Sequence, residues 1–409
     1  MNCRHCGAGV TLPLVDLGSA PPSNAYVTSD RLLEPERRYP LRVLVCERCW
    51  LVQTEDFTRA DELFDEDYAY FSSYSSSWLA HAERYVDAMT SRFGLGPSSH
   101  VVEVASNDGY LLQYVLARGI PCTGIEPTAS TAAAARARGI PIVPEFFGRR
   151  LASRLASEGA SADVMVANNV LAHVPDINDF VSGFATLLTP HGVATFEFPH
   201  LLTLVQETLF DTIYHEHFCY LSLTAVDRIF ASHGLAVFDV ELLSTHGGSL
   251  RVFAQRADTG QQARSDHVAR MLRDESDAGV TTASFYTGFQ ARADHIAAEF
   301  RAFLTAARTQ SRTVLAYGAA AKGNTLLNYT GVGRDLIAFV ADRNPAKQGK
   351  FTPGGHIPIL DEDALRAAKP HYVVILPWNL KHEVMAQLAY IREWGGRFVT
   401  ALPELAVAA

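Results

Sequence analysis

The sequence predicts an α/β protein in which two open, doubly wound sheets follow a small metal-bound N-terminal module. Three observations predict it. Apolar runs with the composition of buried strands alternate with helical patterns twice, over residues 100–255 and again over 313–400. Two Cys-x-x-Cys pairs, Cys3/Cys6 and Cys46/Cys49, stand ahead of the first alternation. At 409 residues the chain exceeds one core. We divide it at 1–66, 67–258 and 259–409.

The composition narrows the class. Hydrophobic residues at 48% and charged residues at 19% are ordinary for a soluble globular protein. A formal charge of −9 argues against non-specific nucleic-acid binding, so no nucleic-acid partner is expected. No apolar run reaches the roughly 18 residues of a membrane span. The start, Met1-Asn2-Cys3-Arg4-His5-Cys6, lacks the apolar stretch of a secretory signal. A cytoplasmic location is expected, where cysteines stay reduced.

Two Cys-x-x-Cys knuckles supply four thiolates, which suits tetrahedral zinc. With sulfur at all four positions no place remains for water or substrate, so the expected role is structural. The segments 12–18 and 39–45 between the pairs read as short strands. So short a module has little core of its own and needs the metal. Cys122 and Cys219 read as ordinary buried thiols.

The first α/β unit opens with a helix over 75–92, where Trp78, Leu79, Ala82, Tyr85, Val86 and Met89 recur at helical spacing. Strands follow at 100–105, 122–125, 140–143, 162–167 and 193–198, with a helix over 110–118. Two further strands, 235–243 and 249–255, form a hairpin through Ser244-Thr245-His246-Gly247-Gly248. A closing hairpin departs from the dehydrogenase pattern and fits the seven-stranded sheet of class I S-adenosylmethionine-dependent methyltransferases.

The loops agree. The first, Glu103-Val104-Ala105-Ser106-Asn107-Asp108-Gly109, has no Gly-x-Gly-x-x-Gly cradle for a pyrophosphate. A polar, acidic loop suits a cofactor with an amino-acid tail and a sulfonium. Glu126, ending the second strand, stands where a carboxylate can accept both ribose hydroxyls. Asn168 and Asn169 end the fourth strand and face the crevice at the carboxyl end of the sheet, with His173 one turn on.

Residues 261–310 read as mostly helical and bridge to a second open, Rossmann-like unit with strands at 313–317, 337–341, 372–376 and 398–400. Its loop Gly318-Ala319-Ala320-Ala321-Lys322-Gly323-Asn324 could hold a phosphate through backbone amides and Lys322. Asp342 stands where a dinucleotide's ribose acid would, but only one fingerprint glycine is in register.

Between the sheets lies Tyr214-His215-Glu216-His217. In isolation it reads as a polar helix cap. After a methyl-donor sheet and before a second α/β unit it reads as a site. Imidazole suits proton transfer near neutral pH. Tyr214 and His217, three apart, share a face on a helical turn, so one can act as base while the other donates. Glu216 could orient an imidazole or bind a hydroxyl. His-Glu-x-x-His is absent, so no metalloprotease is implied.

In their order, these motifs resemble the zinc-containing S-adenosylmethionine-dependent sugar C-methyltransferases, which act on nucleotide-linked 4-keto-deoxyhexoses in antibiotic deoxysugar pathways. The resemblance runs nearly end to end. It rests on the two cysteine pairs, the 103–109 loop, Asn168-Asn169 with His173, Tyr214 to His217, His246-Gly247-Gly248-Ser249-Leu250-Arg251 and the 318–324 loop. It implies S-adenosylmethionine and structural zinc as cofactors. It implies a nucleotide sugar, usually dTDP-linked, held between the α/β units with Lys322 and Asn324 on the C-terminal side. It implies His217 as general base, with Tyr214, Glu216 and His173 around the sugar, and a tyrosine from Tyr68, Tyr70 or Tyr74 near the domain entrance.

That chemistry needs a base beside a 4-ketone, a donor for the enolate oxygen, and in-line attack on the methyl group. C3 is the expected carbon. Methylation at C5, on oxygen or on nitrogen, a zinc-containing RNA methyltransferase, and a non-enzymatic zinc scaffold are the competing readings. A monomer or weak oligomer is expected.

Overall fold

Alternating apolar residues build the N-terminal strands β1 (Leu12–Ala20), β2 (Tyr39–Val45) and β3 (Val52–Thr54), joined antiparallel. The structure, a computed structural model, describes residues 1–55 and 71–408. Along β2 the period of two sends neighbouring side chains to opposite faces. Leu41, Val43 and Val45 join the apolar cluster of the C-terminal unit, while Leu44 and Cys46 join that of the methyltransferase sheet. The module is therefore a wedge with one face in each core.

The helix Ser76–Phe93 starts where the Ser75 hydroxyl accepts the Trp78 N–H. It buries Ala82, Tyr85, Val86 and Met89 and stops at Gly94 in the left-handed region. The large sheet contains β4 (Val101–Val104), β5 (Cys122–Ile125), β6 (Ile142–Val143), β7 (Ala162–Asn168) and β8 (Leu188–Pro199). After the short strand β9 (Cys219–Tyr220), β10 (Leu235–Leu243) and β11 (Ser249–Arg256) complete it. The order is β10-β11-β8-β7-β4-β5-β6. Strands β4 to β8 run parallel, and β11 is antiparallel to both neighbours. This is the class I methyltransferase sheet. The order reverses between β4 and β7, so the loops after them open one crevice.

The helices Asp266–Ala278 and Phe289–Thr309 bridge the sheets: Val268 and Met271 pack in the first core, Phe289, Phe300 and Leu304 in the second. The C-terminal sheet holds β12 (Val314–Tyr317), β13 (Val340–Ala341), β14 (Ile359–Leu360), β15 (Tyr372–Ile375), β16 (Arg397–Thr400) and β17 (Ala406–Ala408). Its order is β14-β13-β12-β15-β16-β17, parallel except for β17.

Four strands escaped the sequence reading: β3, β9, β14 and β17. All are two or three residues long, too short to show a period. One of them changes the architecture. Strand β9, directly after Tyr214 to His217, pairs with β3, Val52 against Tyr220 and Gln53 against Cys219. The N-terminal sheet thus takes its fourth strand from the middle of the chain. Among the described residues no helix is long and apolar enough to cross a membrane.

Candidate active site

The loop after β4 is tightly wound. Ala105, Asn107 and Gly109 all have positive φ, at 56°, 49° and 79°. A Cβ on Gly109 would stand 2.3 Å from Ile140 Cδ1, so this glycine lets the loop pack closely against Ala135 and Ile140. Glu126 is buried and accepts the Asn107 N–H on Oε2 and the Thr128 N–H on Oε1, each at 2.9 Å. Each oxygen keeps acceptor capacity for a hydroxyl. Burial pushes the carboxyls of Glu103 and Glu126 upward. Asp108 is engaged by Arg138, 3.2 Å away, and by the Ser73 hydroxyl. Ser106 Oγ, Asn168 Oδ1 and Asn169 Oδ1 are buried without a hydrogen-bond partner among the described residues. Left without a ligand such oxygens cost free energy. These acceptors suit an ammonium, an amide edge and ribose hydroxyls, as S-adenosylmethionine presents.

Tyr214 to His217 form a β-turn, closed by His217 N–H to the Tyr214 carbonyl at 2.9 Å, and not the helical turn inferred from spacing. The turn still stacks the side chains, with the Tyr214 and His217 rings 4.0 Å apart. His173, from the 3₁₀ turn after β7, meets His217 edge-on at 4.6 Å. The His217 Nδ1–H donates to the Thr212 carbonyl at 2.8 Å, and the His173 Nδ1–H to the Glu216 carbonyl at 2.8 Å. A carbonyl only accepts, so in both neutral rings the lone pair lies on Nε2. Burial, then the neighbouring His173, with smaller effects from Lys322 and His246, holds His217 well below the usual histidine range. Burial pushes His173 down to about 4.

The Glu216 side chain uses one oxygen on the N-terminal module, while its Oε2 is buried without a hydrogen-bond partner among the described residues. Its Oε1 accepts from Asn24 N (3.2 Å) and Nδ2 (3.1 Å), and its main-chain carbonyl, not its carboxylate, orients the His173 ring. His215 binds the Tyr39 carbonyl at 3.1 Å. Both residues tie the turn to the N-terminal module.

The C-terminal unit supplies the facing wall. Lys322 donates to Asn379 Oδ1 at 2.8 Å and lies 4.9 Å above the Trp378 ring. Trp378 donates to Asp211 Oδ2 at 2.7 Å, beside the Thr212 that orients His217. A Cβ on Gly247 would meet Trp378 at 2.4 Å, which brings His246 against this wall. His246 binds Asn169 at 3.2 Å, and burial with the Lys322 charge pushes it down to about 4.

Three amides of the 318–324 loop foreseen as a phosphate cradle are taken up within the protein. The Gly318, Ala319 and Ala320 amides donate to the Ala341 carbonyl, Asp342 Oδ2 and the Gly318 carbonyl. Asp342 thus braces its own loop. Asn324 is fully buried, and its amide donates to the Ser23 carbonyl at 2.7 Å. It joins the C-terminal unit to the module. Tyr68 and Tyr70 lie outside the described residues, as does the 66/67 boundary.

Cys3, Cys6, Cys46 and Cys49 converge, their sulfurs all within 4.8 Å of one another. Cys3–Cys49 and Cys6–Cys46 are each 3.5 Å apart. Zinc–sulfur bonds of ~2.3 Å in a tetrahedron separate sulfurs by ~3.8 Å, so the four fit zinc.

His246, Trp378, Asp211 and His81 were not singled out as site residues. His81 binds Glu197 at 2.9 Å and stacks on Trp78. His246 lies in a motif that carried the resemblance, and Trp378-Asn379 follow a strand's carboxyl end, which is where α/β sheets place ligands.

Fold, crevice and cysteine cluster define a class I S-adenosylmethionine-dependent methyltransferase with a zinc-binding module. Three family profiles match in tandem: a zinc binding domain over residues 3–64, a methyltransferase domain over 78–240 and a C-methyltransferase C-terminal domain over 244–403. The C-methyltransferase NovU of Streptomyces niveus is 35% identical over 403 residues, 98% of this chain and 96% of NovU. The chain belongs to this C-methyltransferase family. Among solved structures, the magnesium protoporphyrin IX methyltransferase of Synechocystis with bound SAH is 16% identical, over 44% of this chain and 84% of that one, at a TM-score of 0.36. The [4+2]-cyclase SpnF is 13% identical, over 44% and 83%, at 0.33.

Proposed function

We propose that the enzyme methylates a dTDP-linked 4-keto-6-deoxyhexose at C3, in the cytoplasm and in the service of antibiotic deoxysugar biosynthesis. The observation that carries the mechanism is the His217 ring, whose Nδ1–H is held by the Thr212 carbonyl while Nε2 keeps its lone pair. Proton abstraction from carbon needs an unprotonated base in a site that excludes water, and His217 is buried with its pKa held well below the usual histidine range. In this reading His217 Nε2 takes the proton from C3, and the C–H electron pair becomes the enolate double bond. Lys322, and Tyr214 stacked on the base, stabilise the enolate oxygen. His173 lines the sugar and holds the His217 ring edge-on. The enolate carbon would then gain the methyl group that S-adenosylmethionine supplies, with the electron pair of the broken carbon–sulfur bond leaving on sulfur.

Glu103, Ser106, Asn107, Glu126, Asn168 and Asn169 would hold S-adenosylmethionine, which supplies an electrophilic methyl group. Asp108, whose buried Oδ1 has no partner among the described residues, would join them, while Gly109 shapes the loop. Glu216 and Asn324 each anchor the turn or the C-terminal unit through one polar atom, and Glu216 Oε2 and Asn324 Oδ1, buried without a partner among the described residues, would serve the sugar.

The test is hydrogen exchange in heavy water. Wild-type enzyme with S-adenosylhomocysteine should exchange the C3 hydrogen of the 4-keto sugar, and His217→Ala should lose exchange and turnover while binding S-adenosylmethionine normally. No exchange by wild type would dismiss the enolate and favour methylation on oxygen or nitrogen. A fully active His217→Ala would dismiss this base. NMR of the product separates C3 from C5.

A further inference from the structure

The first cysteine knuckle reaches the candidate base. Between Cys3 and Cys6, Arg4 extends its guanidinium out of the module. Nη2 donates to the Thr54 carbonyl at 3.1 Å, Nη1 to the Pro175 carbonyl at 3.2 Å, and the group lies 4.9 Å over the Phe218 ring. Each contact is one step from a histidine of the site. Thr54 Oγ1 donates to the His217 carbonyl at 2.6 Å, and the Thr54 N–H to the Phe218 carbonyl at 3.1 Å. Pro175 lies two residues after His173. Phe218 follows His217, and its N–H donates to the Ala172 carbonyl at 2.8 Å. The Arg4 main chain is itself fixed: its N–H donates to Gln53 Oε1 at 2.9 Å, and its carbonyl accepts from Asn178 Nδ2 at 3.2 Å.

A planar guanidinium can donate to two carbonyls from a fixed fork while stacking on a ring, a geometry that a single ammonium nitrogen holds less rigidly. Here it spans the two backbone segments that carry His173 and His217. Those rings meet at 4.6 Å, and a displacement of about 1 Å between them is enough to spoil a proton transfer.

We propose that Arg4 is a positioning residue for the catalytic histidines, so that the zinc knuckle sets the geometry of proton abstraction as well as the fold of the module. The proposal rests on His217 as base.

The experiment compares Arg4→Gln, Arg4→Lys and Thr54→Val in the full-length zinc-bound enzyme, with the keto sugar that wild type methylates. Supporting metal and ligand residues typically changes activity ~10–100-fold, and kcat of Arg4→Gln should fall by that factor. Zinc content, S-adenosylmethionine affinity and the KM for the sugar should stay within about twofold by the same reasoning, since none of those groups is touched. Lysine should restore part of the rate. Thr54→Val, which leaves the knuckle intact, should lower kcat in the same way, and the double variant should be less than additive. Arg4→Gln at the wild-type rate would overturn the proposal, as would a rise in KM alone. If Arg4→Gln loses zinc, Thr54→Val decides: an unchanged kcat there overturns it. An active His217→Ala would signal instead that the base was misassigned.

Discussion

At the scale of single residues, the charge around His217 decides its pH behaviour. Burial comes first, then His173, with Lys322 and His246 adding to it, and all hold the ring neutral. A lowered pKa means that the base form persists as pH falls through 6.5 and is lost only below it. The acid limb of kcat/KM, which reports the free enzyme, should therefore break well below 6.5. A break at or above 6.5 would contradict the assignment of His217. Lys322→Met gives a second sign. Removing that cation makes protonation of His217 and His246 easier, so the break should move up in pH while kcat falls at least tenfold from the lost enolate donor. A break that stays put with an unchanged kcat would remove Lys322 from the site. The imidazoles and the lysine were visible in the sequence as residue types. Their tautomers and mutual field were not, because these depend on the Thr212 and Glu216 carbonyls and on Trp378 from another unit.

At the scale of elements, the loop after β4 shows what backbone conformation contributes to the cofactor site. Gly109→Ala would place a side chain at φ 79° and a Cβ 2.3 Å from the end of Ile140. The left-handed backbone alone costs ~1–2 kcal/mol. The clash falls on the tip of a flexible side chain, so Ile140→Ala should relieve that part only. The single variant should melt lower and bind S-adenosylmethionine at least tenfold more weakly, and the pair should recover partly, as read by calorimetry and thermal unfolding. Full affinity in Gly109→Ala would mean that the loop tolerates another path. The inner strands were legible because buried parallel strands read as continuous apolar runs, as in Tyr372–Ile375. Strand β9 was not, since two residues carry no period. The Tyr214 turn was misread as helical because spacing of three fits both structures.

At the scale of the whole molecule, the zinc module joins the parts. Its strands place Leu41, Val43 and Val45 in one core and Leu44, Cys46 and Leu51 in the other, and β3 binds the strand that leaves the candidate active site. The strand over 39–45 was legible in the sequence, but what its two faces would pack against was not. Metal removal should therefore act on the joint before it acts on the sheets. The methyltransferase sheet has its own core in Tyr85, Leu111, Val166 and Phe253, away from the cysteines. Chelation of zinc, or Cys46→Ser, should abolish methyl transfer while S-adenosylmethionine still binds. Hydrogen exchange read by mass spectrometry should rise first in residues 1–55 and 212–221, where Thr54, Asn24 and β3 hold the turn, and later in β4 and β7. Simultaneous loss of protection in β4 and β7 would make the metal a condition of the whole fold. Unchanged protection at 212–221 would detach the module from the site. The expected order follows from where the contacts run: the module shares its hydrogen bonds with the Tyr214–His217 turn, whereas the strands beneath the crevice bond to one another.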